Sequence, residues 1–571
     1  MKGTALAPST PESRSAAPLP AAVEKDRTFL HCLLIVCIAG AIYLPLIGIM
    51  PWNGNEPTRV AVAQDMLRQG HWIVPTLHGK LYLVKPPLMN WLIAGSGVVF
   101  GVITEWTSRI PSVLAMLATA LAVYLLTRPW LGQDARLSAA LATLSMTGLL
   151  KKGASAEIDA LFILTVTVIL LVWLNGYQKR WKPAALWGIP LFLVGVAFLI
   201  KGPHAAVYFY LTTGCYLLLR KRPSLLFSRA HLLGIFIAAA VLLLYLSAVL
   251  QEISAADYLR MWEEQVVSRG STGRAGGFFR HAVDFPVDAA LSFMPWILFV
   301  LPLLHRGLWE SARSVLENEL VVFALVMIAA NFPLYWLLPN AYVRYFLPAG
   351  PFVAVVLAAW FQVLAPPSDK VGLAASSVMP IMRIAAAVVC LAAAGIAGTA
   401  LSKGMVLTPR LGLSTLIIMI SAACIAVRPS LVRIRSLAVP VALWVGLFSL
   451  LFSDMNLQKM MMRKESPRQA AREISQRLPA GLAKVYEIGS RRILAVTCYL
   501  DREVMQLEGF FRLQDLSSEG PVYFLFDTDI FSNLQEEQKA AYDRLDWEKL
   551  VSTTFEKGDN EVILGRLKSG D

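Results

Sequence analysis

Long apolar segments recur along almost the whole chain, and they indicate that it folds in a lipid bilayer. About 20 apolar residues cover the ~30 Å hydrocarbon core of a bilayer. Thirteen segments approach this length: 29–50, 109–127, 135–150, 159–175, 184–200, 203–219, 230–250, 289–305, 319–338, 345–364, 381–402, 411–427 and 436–453. The sequence therefore predicts a mostly α-helical, polytopic membrane protein with about 13 transmembrane helices.

The composition agrees with a fold in lipid. A soluble chain of 571 residues would form several domains and carry about 25% charged residues, whereas this chain has 16% charged and 56% hydrophobic residues. In membrane proteins Lys and Arg follow topology and anionic lipid, so the net charge of +13 does not indicate a nucleic-acid partner. Five of the six cysteines lie in apolar segments and no CxxC occurs, which argues against a zinc site or a disulfide framework.

Residues 88–104 are apolar but are not predicted to cross the membrane. With the amino terminus inside and this segment left out, most basic clusters fall in inside loops, as the positive-inside rule requires. If 88–104 crossed, all later clusters would fall outside. We therefore expect an interfacial or half-inserted segment, with residues 51–108 as the first outer loop.

Three regions follow from these patterns. Residues 1–28 are rich in Ala, Pro and Ser and read as a disordered cytoplasmic tail rather than a cleavable signal peptide. Residues 29–455 form the membrane domain. Residues 456–571 are charge-dense and predict a small soluble, periplasmic α/β domain, with a strand at 521–527 and helices at 466–477 and 533–548. The basic stretch 459–468 would then lie outside, against the positive-inside rule.

The first outer loop interleaves aromatic residues, an acid and several cations. Cations pair with phosphate, and a carboxylate can take a proton from an attacking hydroxyl. The loop therefore fits a site for an anionic lipid headgroup. The alternative is an ordinary loop with interfacial anchors.

Seven short motifs occur in a characteristic order over residues 29–350: Glu56-Pro-x-Arg59, Gly70-His-Trp-Ile-Val-Pro75, Tyr82-Leu-x-Lys85-Pro-Pro-Leu88, Arg109-Ile-Pro-Ser112, Glu157-Ile-Asp159, Lys201-Gly-Pro203 and Phe293-Met-Pro-Trp296. This order resembles the GT-C class of membrane glycosyltransferases, in the branch of protein O-mannosyltransferases and lipid A aminoarabinose transferases. The resemblance also implies thirteen spans and an outer carboxyl-terminal domain.

The resemblance implies an inverting transfer of a sugar from a polyprenyl-phosphate (undecaprenyl-phosphate) donor. The acceptor would be lipid A, another glycan or lipid, or a protein, on the outer face of a bacterial inner membrane. Membrane lipids surround the chain, and no nucleotide or other cofactor is implied because the lipid carrier is already activated.

The resemblance also assigns roles to the two strongest site candidates. Glu56 would be the catalytic base, although the family often has Asp-Glu where this chain has Asn55-Glu56. Lys85 would bind the donor phosphate and stabilise it as it leaves. The alternatives are a charge complementing a helix dipole for Glu56 and a snorkelling lysine for Lys85.

Further candidates follow from the same motifs. Asp159 matches the second acidic position, and an ionisable residue at a helix start near the bilayer is functional by default. For His204 a structural role is the better expectation. The remaining candidates are assigned to the donor phosphate (Arg59, Arg109 and Arg344) and to the substrate (Tyr82, Tyr345 and Lys201).

Two features of the relatives differ in this chain. Aminoarabinose transferases have an acid before the lysine and a His in a later outer loop, which together resemble a metal site. This chain has Val84 and the stretch 262–265 (Trp-Glu-Glu-Gln) at the comparable places, so no metal is expected.

The glycine-rich stretch 269–277 is expected to be a mobile gate over the donor.

Two rival functions are also compatible with a polytopic membrane chain. A transporter or flippase of lipid-linked sugars would need polar residues along a path through the spans. The charges concentrate instead at the outer face. An assembly scaffold would leave the acid of the first loop dispensable.

Overall fold

The computed structural model describes residues 26–260, 263, 275–304, 309–338, 341–364, 372–428, 437–489, 493–516, 521–528, 530, 536–554 and 561–568. The predicted tail at 1–28 lies almost entirely outside the described residues. So does most of the predicted gate at 269–277.

The membrane domain is built from helices. They are α1 (Thr28–Ile47), α2 (Glu56–Gln69), α3 (Leu88–Phe100), α4 (Glu105–Leu126), α5 (Gln133–Ser145), α6 (Thr147–Gly153), α7 (Ile158–Gln178), α8 (Pro183–Lys201), α9 (His204–Leu219), α10 (Arg229–Glu252), α11 (Ala275–Ser292), α12 (Trp309–Val315), α13 (Glu319–Trp336), α14 (Gly350–Leu364), α15 (Gly372–Ser402), α16 (Pro409–Val427) and α17 (Ala438–Met462). Between α2 and α3 the first loop forms a short hairpin of β1 (Thr76–Leu77) and β2 (Lys80–Leu81).

Nine of the thirteen predicted segments form helices that are long and apolar enough to span: α1, α4, α7, α8, α10, α13, α15, α16 and α17, counted over the described residues. The other four form shorter elements. Residues 135–150 divide between α5 and α6, 203–219 form α9 with 16 residues, 289–305 break after α11 into a 3-10 helix, and 345–364 begin with two short 3-10 turns before α14. The fold is that of a multi-pass membrane protein.

Helix α3 is the apolar segment that the positive-inside rule keeps from crossing. Its 13 residues rise about 20 Å at 1.5 Å per residue, which is short of the ~30 Å hydrocarbon core. The chain turns at Gly101, whose φ of 80° is left-handed, and Thr104 caps the start of α4 in a capping box. The length of α3 therefore fits a helix that packs beside the spans without crossing.

Helix α7 occupies the centre of the membrane domain. Its apolar window is 72% buried inside the protein, compared with 11% for α10 at the periphery. Trp173 on α7 packs within about 6 Å of the rings of Trp187, Tyr216 and Phe323. Because α7 is central, the polar residues at its first turn lie in the middle of one end of the helix bundle.

We call this end, at which α1 ends and α4 and α7 begin, the loop end of the bundle. The first loop starts there, directly after α1. The carboxyl-terminal region also packs against it.

The carboxyl-terminal region forms a small α/β domain after α17. Its elements are α18 (Pro467–Arg477), β3 (Lys484–Ile488), α19 (Leu494–Thr497), β4 (Glu503–Gln506), α20 (Phe511–Leu516), β5 (Tyr523–Asp527), α21 (Glu536–Asp543), β6 (Trp547–Thr554) and β7 (Glu561–Leu567). Within the described residues the sheet order is β4-β3-β5-β7-β6, with parallel pairs around β3 and antiparallel pairs around β7.

The predicted strand at 521–527 and the predicted helix at 466–477 are confirmed by β5 and α18. The predicted helix at 533–548 is wrong at its end. Only α21 is helical in the described part, and Trp547 already begins β6. The run Val551-Ser-Thr-Thr554 is rich in β-branched residues and pairs with β7, which favours a strand over a longer helix.

The carboxyl-terminal domain contacts the loop end of the bundle through Tyr499 and Arg468. The Tyr499 ring stacks on Trp52 at 4.4 Å, and its hydroxyl donates to Glu105 Oε1 (2.7 Å) and accepts from the Trp52 backbone N–H (2.8 Å). Arg468 pairs with the same Glu105 oxygen and donates to two backbone carbonyls at the end of α1. Burial and the Glu105 carboxylate raise the pKa of the Tyr499 phenol, so the phenol stays protonated as a donor.

We expect Glu105→Ala to loosen this contact. The change removes the shared acceptor of Arg468 and Tyr499, and an unsatisfied partner costs about 1–3 kcal/mol. Limited proteolysis of the purified protein should then cut faster between α17 and β3. Glu508→Ala removes an exposed carboxylate of the carboxyl-terminal domain, so it is the control and should leave the cleavage rate unchanged. Equal cleavage rates in both variants would show that Glu105 does not hold the domain.

Candidate active site

An ion pair between Glu56 and Arg109 anchors the first loop. Glu56 is the first residue of α2, and Arg109 lies in the second turn of α4. The guanidinium donates from Nε to Oε1 at 2.7 Å and from Nη2 to Oε2 at 2.8 Å. Both side chains are at most 2% exposed, so this is a buried, two-pronged pair.

Every hydrogen-bonding group of this pair is in use. Each oxygen of Glu56 accepts a second bond, Oε1 from the Ala156 backbone N–H (2.7 Å) and Oε2 from the Asn53 backbone N–H (3.0 Å). The three remaining Arg109 N–H groups donate to the backbone carbonyls of Ile47, Met50 and Pro51. The pair thus ties together the end of α1, the first loop, α4 and the residue before Glu157.

This geometry bears on two predicted roles. A base needs a lone pair that a substrate proton can reach, and a phosphate site needs N–H groups that protein acceptors have not taken. Glu56 and Arg109 offer neither in this arrangement, which favours positioning roles for both. The predicted catalytic role of Glu56 and phosphate role of Arg109 stay predictions.

A second group of charges lies around the start of α7. Lys201 Nζ, at the end of α8, lies 2.6 Å from Asp159 Oδ1, and Lys152 Nζ lies 3.3 Å from Asp159 Oδ2. Lys152 also pairs with Glu157 Oε2. Arg344 interacts electrostatically with Asp159 and Glu157. We call these five residues the α7 charge cluster.

The α7 charge cluster carries a surplus positive charge. Three cations (Lys152, Lys201 and Arg344) face two carboxylates (Glu157 and Asp159), which leaves one unit of positive charge. Burial alone would lower the pKa of Lys152, but the carboxylates of Asp159 and Glu157 raise it above its ordinary value, so Lys152 stays charged. A partly enclosed surplus of positive charge attracts an anion such as a phosphate.

Aromatic rings fix Lys201 in place. Its ammonium lies 4.8 Å from the centre of the Phe162 ring and 4.7 Å from that of Tyr345. Arg344 lies over Tyr342 at 4.7 Å. The Lys201 side chain is only 2% exposed, so its ammonium holds Asp159 and Tyr345 together, whereas half-buried Arg344 is the more accessible cation.

Glu157 differs from the other acids at the loop end. Its Oε2 pairs with Lys152, whereas its Oε1 accepts no hydrogen bond from any described residue. A Cβ built on Gly54 would lie 3.8 Å from that oxygen, so Oε1 faces the first loop at Gly54. Glu157 therefore has an oxygen available to a substrate, unlike Glu56.

Arg59 and Tyr82 form a third element of the site. Arg59 lies three residues after Glu56, on the same side of α2. Its guanidinium lies 5.7 Å from the centre of the Tyr82 ring, and the side chain is 5% exposed. Its Nη1 has no hydrogen-bond partner among the described residues. Lys85 lies half-buried, three residues beyond Tyr82.

The structure thus brings most of the predicted residues to the loop end, and it adds Lys152 and Glu157, to which the sequence motifs assign no role. Lys151 and Lys152 fall in a loop predicted to be outside, where the positive-inside rule disfavours lysine. That misplaced charge is the sequence signal that could have found Lys152. His204 packs against Phe162 and Tyr345, as a structural histidine would.

The metal prediction stays open. Over the described residues, no group of three or more His, Cys, Asp and Glu side chains is placed to hold a metal ion. Residue Glu263 is described, but 261–262 and 264–274 lie outside the described residues. The later outer loop therefore provides no test of the prediction.

Comparisons with known proteins point to one class. A family model described as dolichyl-phosphate-mannose-protein mannosyltransferase matches residues 84–247. An undecaprenyl phosphate-alpha-4-amino-4-deoxy-L-arabinose arabinosyl transferase from Pectobacterium carotovorum is 28% identical over 356 residues, 60% of this chain and 61% of that protein. An uncharacterized protein from Aquifex aeolicus is 28% identical over 312 residues, 54% of this chain and 59% of its own length. The matched region thus spans about 60% of these relatives.

The solved structure of ArnT from Cupriavidus metallidurans, bound to undecaprenyl phosphate, superposes with a TM-score of 0.71 at 17% sequence identity. The match covers 94% of this chain and 98% of that one. The chain therefore has the fold of the GT-C membrane glycosyltransferases. Within that class, the predicted resemblance to the branch of protein O-mannosyltransferases and lipid A aminoarabinose transferases is confirmed by the family model and the sequence relatives.

Proposed function

We propose that this protein transfers a sugar from a polyprenyl-phosphate donor to an acceptor at the outer face of a bacterial inner membrane. The carboxyl-terminal domain would then be periplasmic. The observation that carries the proposal is the α7 charge cluster, in which a surplus positive charge lies beside a carboxylate oxygen that faces the first loop. The sequence relative in Pectobacterium is named for a transfer of this kind.

The donor phosphate would be held by cations at the loop end. Arg59 is buried beside Tyr82 with an Nη1 that has no hydrogen-bond partner among the described residues. Arg344 is the half-buried cation of the α7 charge cluster. Lys85 follows in the same loop and would add a further positive charge. These cations would neutralise the charge that develops on the phosphate as the bond to the sugar breaks.

The acceptor hydroxyl would lose its proton to Glu157. The acceptor oxygen forms a bond to the anomeric carbon of the sugar, the bond from that carbon to the phosphate oxygen breaks, and polyprenyl phosphate leaves with the electron pair. The proton goes to Glu157 Oε1, while the Glu56–Arg109 pair holds the first loop against α7. In this proposal Glu56 is a positioning residue and Asp159 orders Lys152 and Lys201.

Arg59→Gln should raise the KM for the lipid-linked donor by roughly 10–100-fold, because a hydrogen bond to a charged group contributes about 1.5–3 kcal/mol. The turnover number should change far less. The fold should survive, since Arg59 makes no ion pair within the described residues. The measurement is initial rate against donor concentration. Arg68→Gln, an exposed arginine on the same helix, should behave as wild type. An unchanged KM in Arg59→Gln would remove Arg59 from the donor site.

The proposed reaction can be tested without knowing the sugar beforehand. A strain lacking this protein should lose one sugar-bearing lipid, glycan or protein and accumulate a polyprenyl-phosphate sugar, both measured by mass spectrometry. The mass difference would identify the sugar and its acceptor together. Identical profiles in the deletion strain and the wild type would argue against a transferase.

A further inference from the structure

A cleft separates the loop end of the membrane domain from α18. Its volume is about 630 Å³, and it is lined by Gly48, Glu105, Arg468, Ala471, Arg472, Ser475, Gln476 and Tyr499. Gly48 follows the last residue of α1, and Glu105 is the first residue of α4. The cleft therefore lies at the depth where two membrane-spanning helices end, which is the depth of lipid headgroups.

The lining of the cleft favours an anion. Arg468 and Arg472 contribute two positive charges against the one carboxylate of Glu105, and Ser475 and Gln476 add hydrogen-bond donors. Arg468 is already engaged by Glu105 and by backbone carbonyls. Arg472 is exposed, and it forms no hydrogen bond or ion pair within the described part of the chain. Its guanidinium is therefore available to a ligand.

The end of α17 and the start of α4 carry side chains typical of a membrane surface. Met461 and Met462 are exposed at the end of α17, directly before Arg463 and Lys464. Trp106 is also exposed, in the first turn of α4. Exposed apolar side chains beside cations are typical of the bilayer interface. This segment is the basic stretch that the positive-inside rule did not explain.

We propose that this cleft binds the phosphate-bearing headgroup of a membrane lipid in the leaflet at the loop end. The phosphate would lie against Arg472, and the acyl chains would run down beside Trp106 and the spans. A ligand at this cleft would account for the position of Arg468, the residue of that basic stretch that lines the cleft. The site is separate from the α7 charge cluster, and the proposal does not depend on the proposed reaction.

The test compares two arginines of one helix. Arg472 lines the cleft, whereas Arg477 is exposed five residues later, about 140° around α18, outside the lining. The full-length protein in detergent is titrated with short-chain phosphatidylglycerol and, separately, with short-chain phosphatidylcholine, and bound lipid is counted by native mass spectrometry. Arg472→Gln should weaken phosphatidylglycerol binding about fivefold, since a basic residue near an anionic surface contributes about that much. Arg477→Gln should stay within twofold of wild type.

Two further titrations show whether the ligand is a lipid headgroup or free phosphate. Wild-type protein should prefer phosphatidylglycerol to phosphatidylcholine, and inorganic phosphate at equal concentration should not displace the lipid. Equal binding by Arg472→Gln and Arg477→Gln would overturn the site. Displacement by inorganic phosphate alone would overturn the lipid assignment. Both variants should unfold at the same temperature as the wild-type protein, which would show that a change in lipid binding does not come from misfolding.

Discussion

Glu157→Gln is expected to lower the rate of sugar transfer by about 10²–10⁴-fold, the range that positioned proton transfer contributes in enzymes. The amide occupies the same space but cannot take the acceptor proton. The fold should persist, because Lys152 keeps a second carboxylate, Asp159, at 3.3 Å. Turnover of the purified variant with a saturating lipid-linked donor measures the effect.

The readout must separate chemistry from binding. Donor KM and thermal unfolding of Glu157→Gln should stay close to wild type while the turnover number falls. Glu252→Gln, an exposed acid at the end of α10, serves as the control. Wild-type turnover in Glu157→Gln would show that Glu157 is not the base. The base would then be Glu56 or Asp159, the two acids that the sequence motifs favour.

Arg109→Met is expected to reduce the free energy of unfolding by about 3–5 kcal/mol, because breaking a buried ion pair leaves an uncompensated charge. Glu56 would lose two of its four donors, and three backbone carbonyls would lose theirs. The lost stability should appear as a lower unfolding temperature of the purified protein in detergent.

A double variant tests whether the stability lost in Arg109→Met comes from the broken ion pair. Glu56→Leu combined with Arg109→Met replaces the buried pair with apolar side chains, an exchange that is often neutral for stability. The double variant should therefore recover much of the stability that Arg109→Met alone loses. If Arg109→Met unfolded at the wild-type temperature, the pair would not anchor the first loop.

The membrane fold could be predicted from the sequence because burial in lipid requires long apolar segments, and nine of them are helices of spanning length in the described residues. The four shorter elements could not be predicted in this way. Segments such as 289–305 are as apolar as a span, but hydropathy alone does not record a local break such as the one after Ser292.

Some of the charged residues at the loop end could be selected from the sequence, but Lys152, Glu157 and the pairings could not. The order of the motifs is enough to select Glu56, Arg109, Asp159 and Lys201. That Glu56 pairs with Arg109, 53 residues away, depends on how α1, α2 and α4 pack, which no local pattern encodes. The same packing brings Glu157 beside the first loop, and it is this contact that favours Glu157 over Glu56 as the base.

The proposed reaction breaks the bond between the donor's phosphate and its sugar, and one measurement tests this step most directly. Lipid extract from the deletion strain, which should contain the accumulated polyprenyl-phosphate sugar and the unmodified acceptor, is incubated with the purified full-length protein in vesicles. Mass spectrometry then follows both lipids. With the wild-type protein, we expect the donor to disappear as free polyprenyl phosphate and sugar-bearing acceptor appear in equal amounts. Glu157→Gln should leave the donor intact over the same time. A donor that stays intact with the wild-type protein, and only changes its side of the vesicle membrane, would contradict a transferase and indicate a flippase.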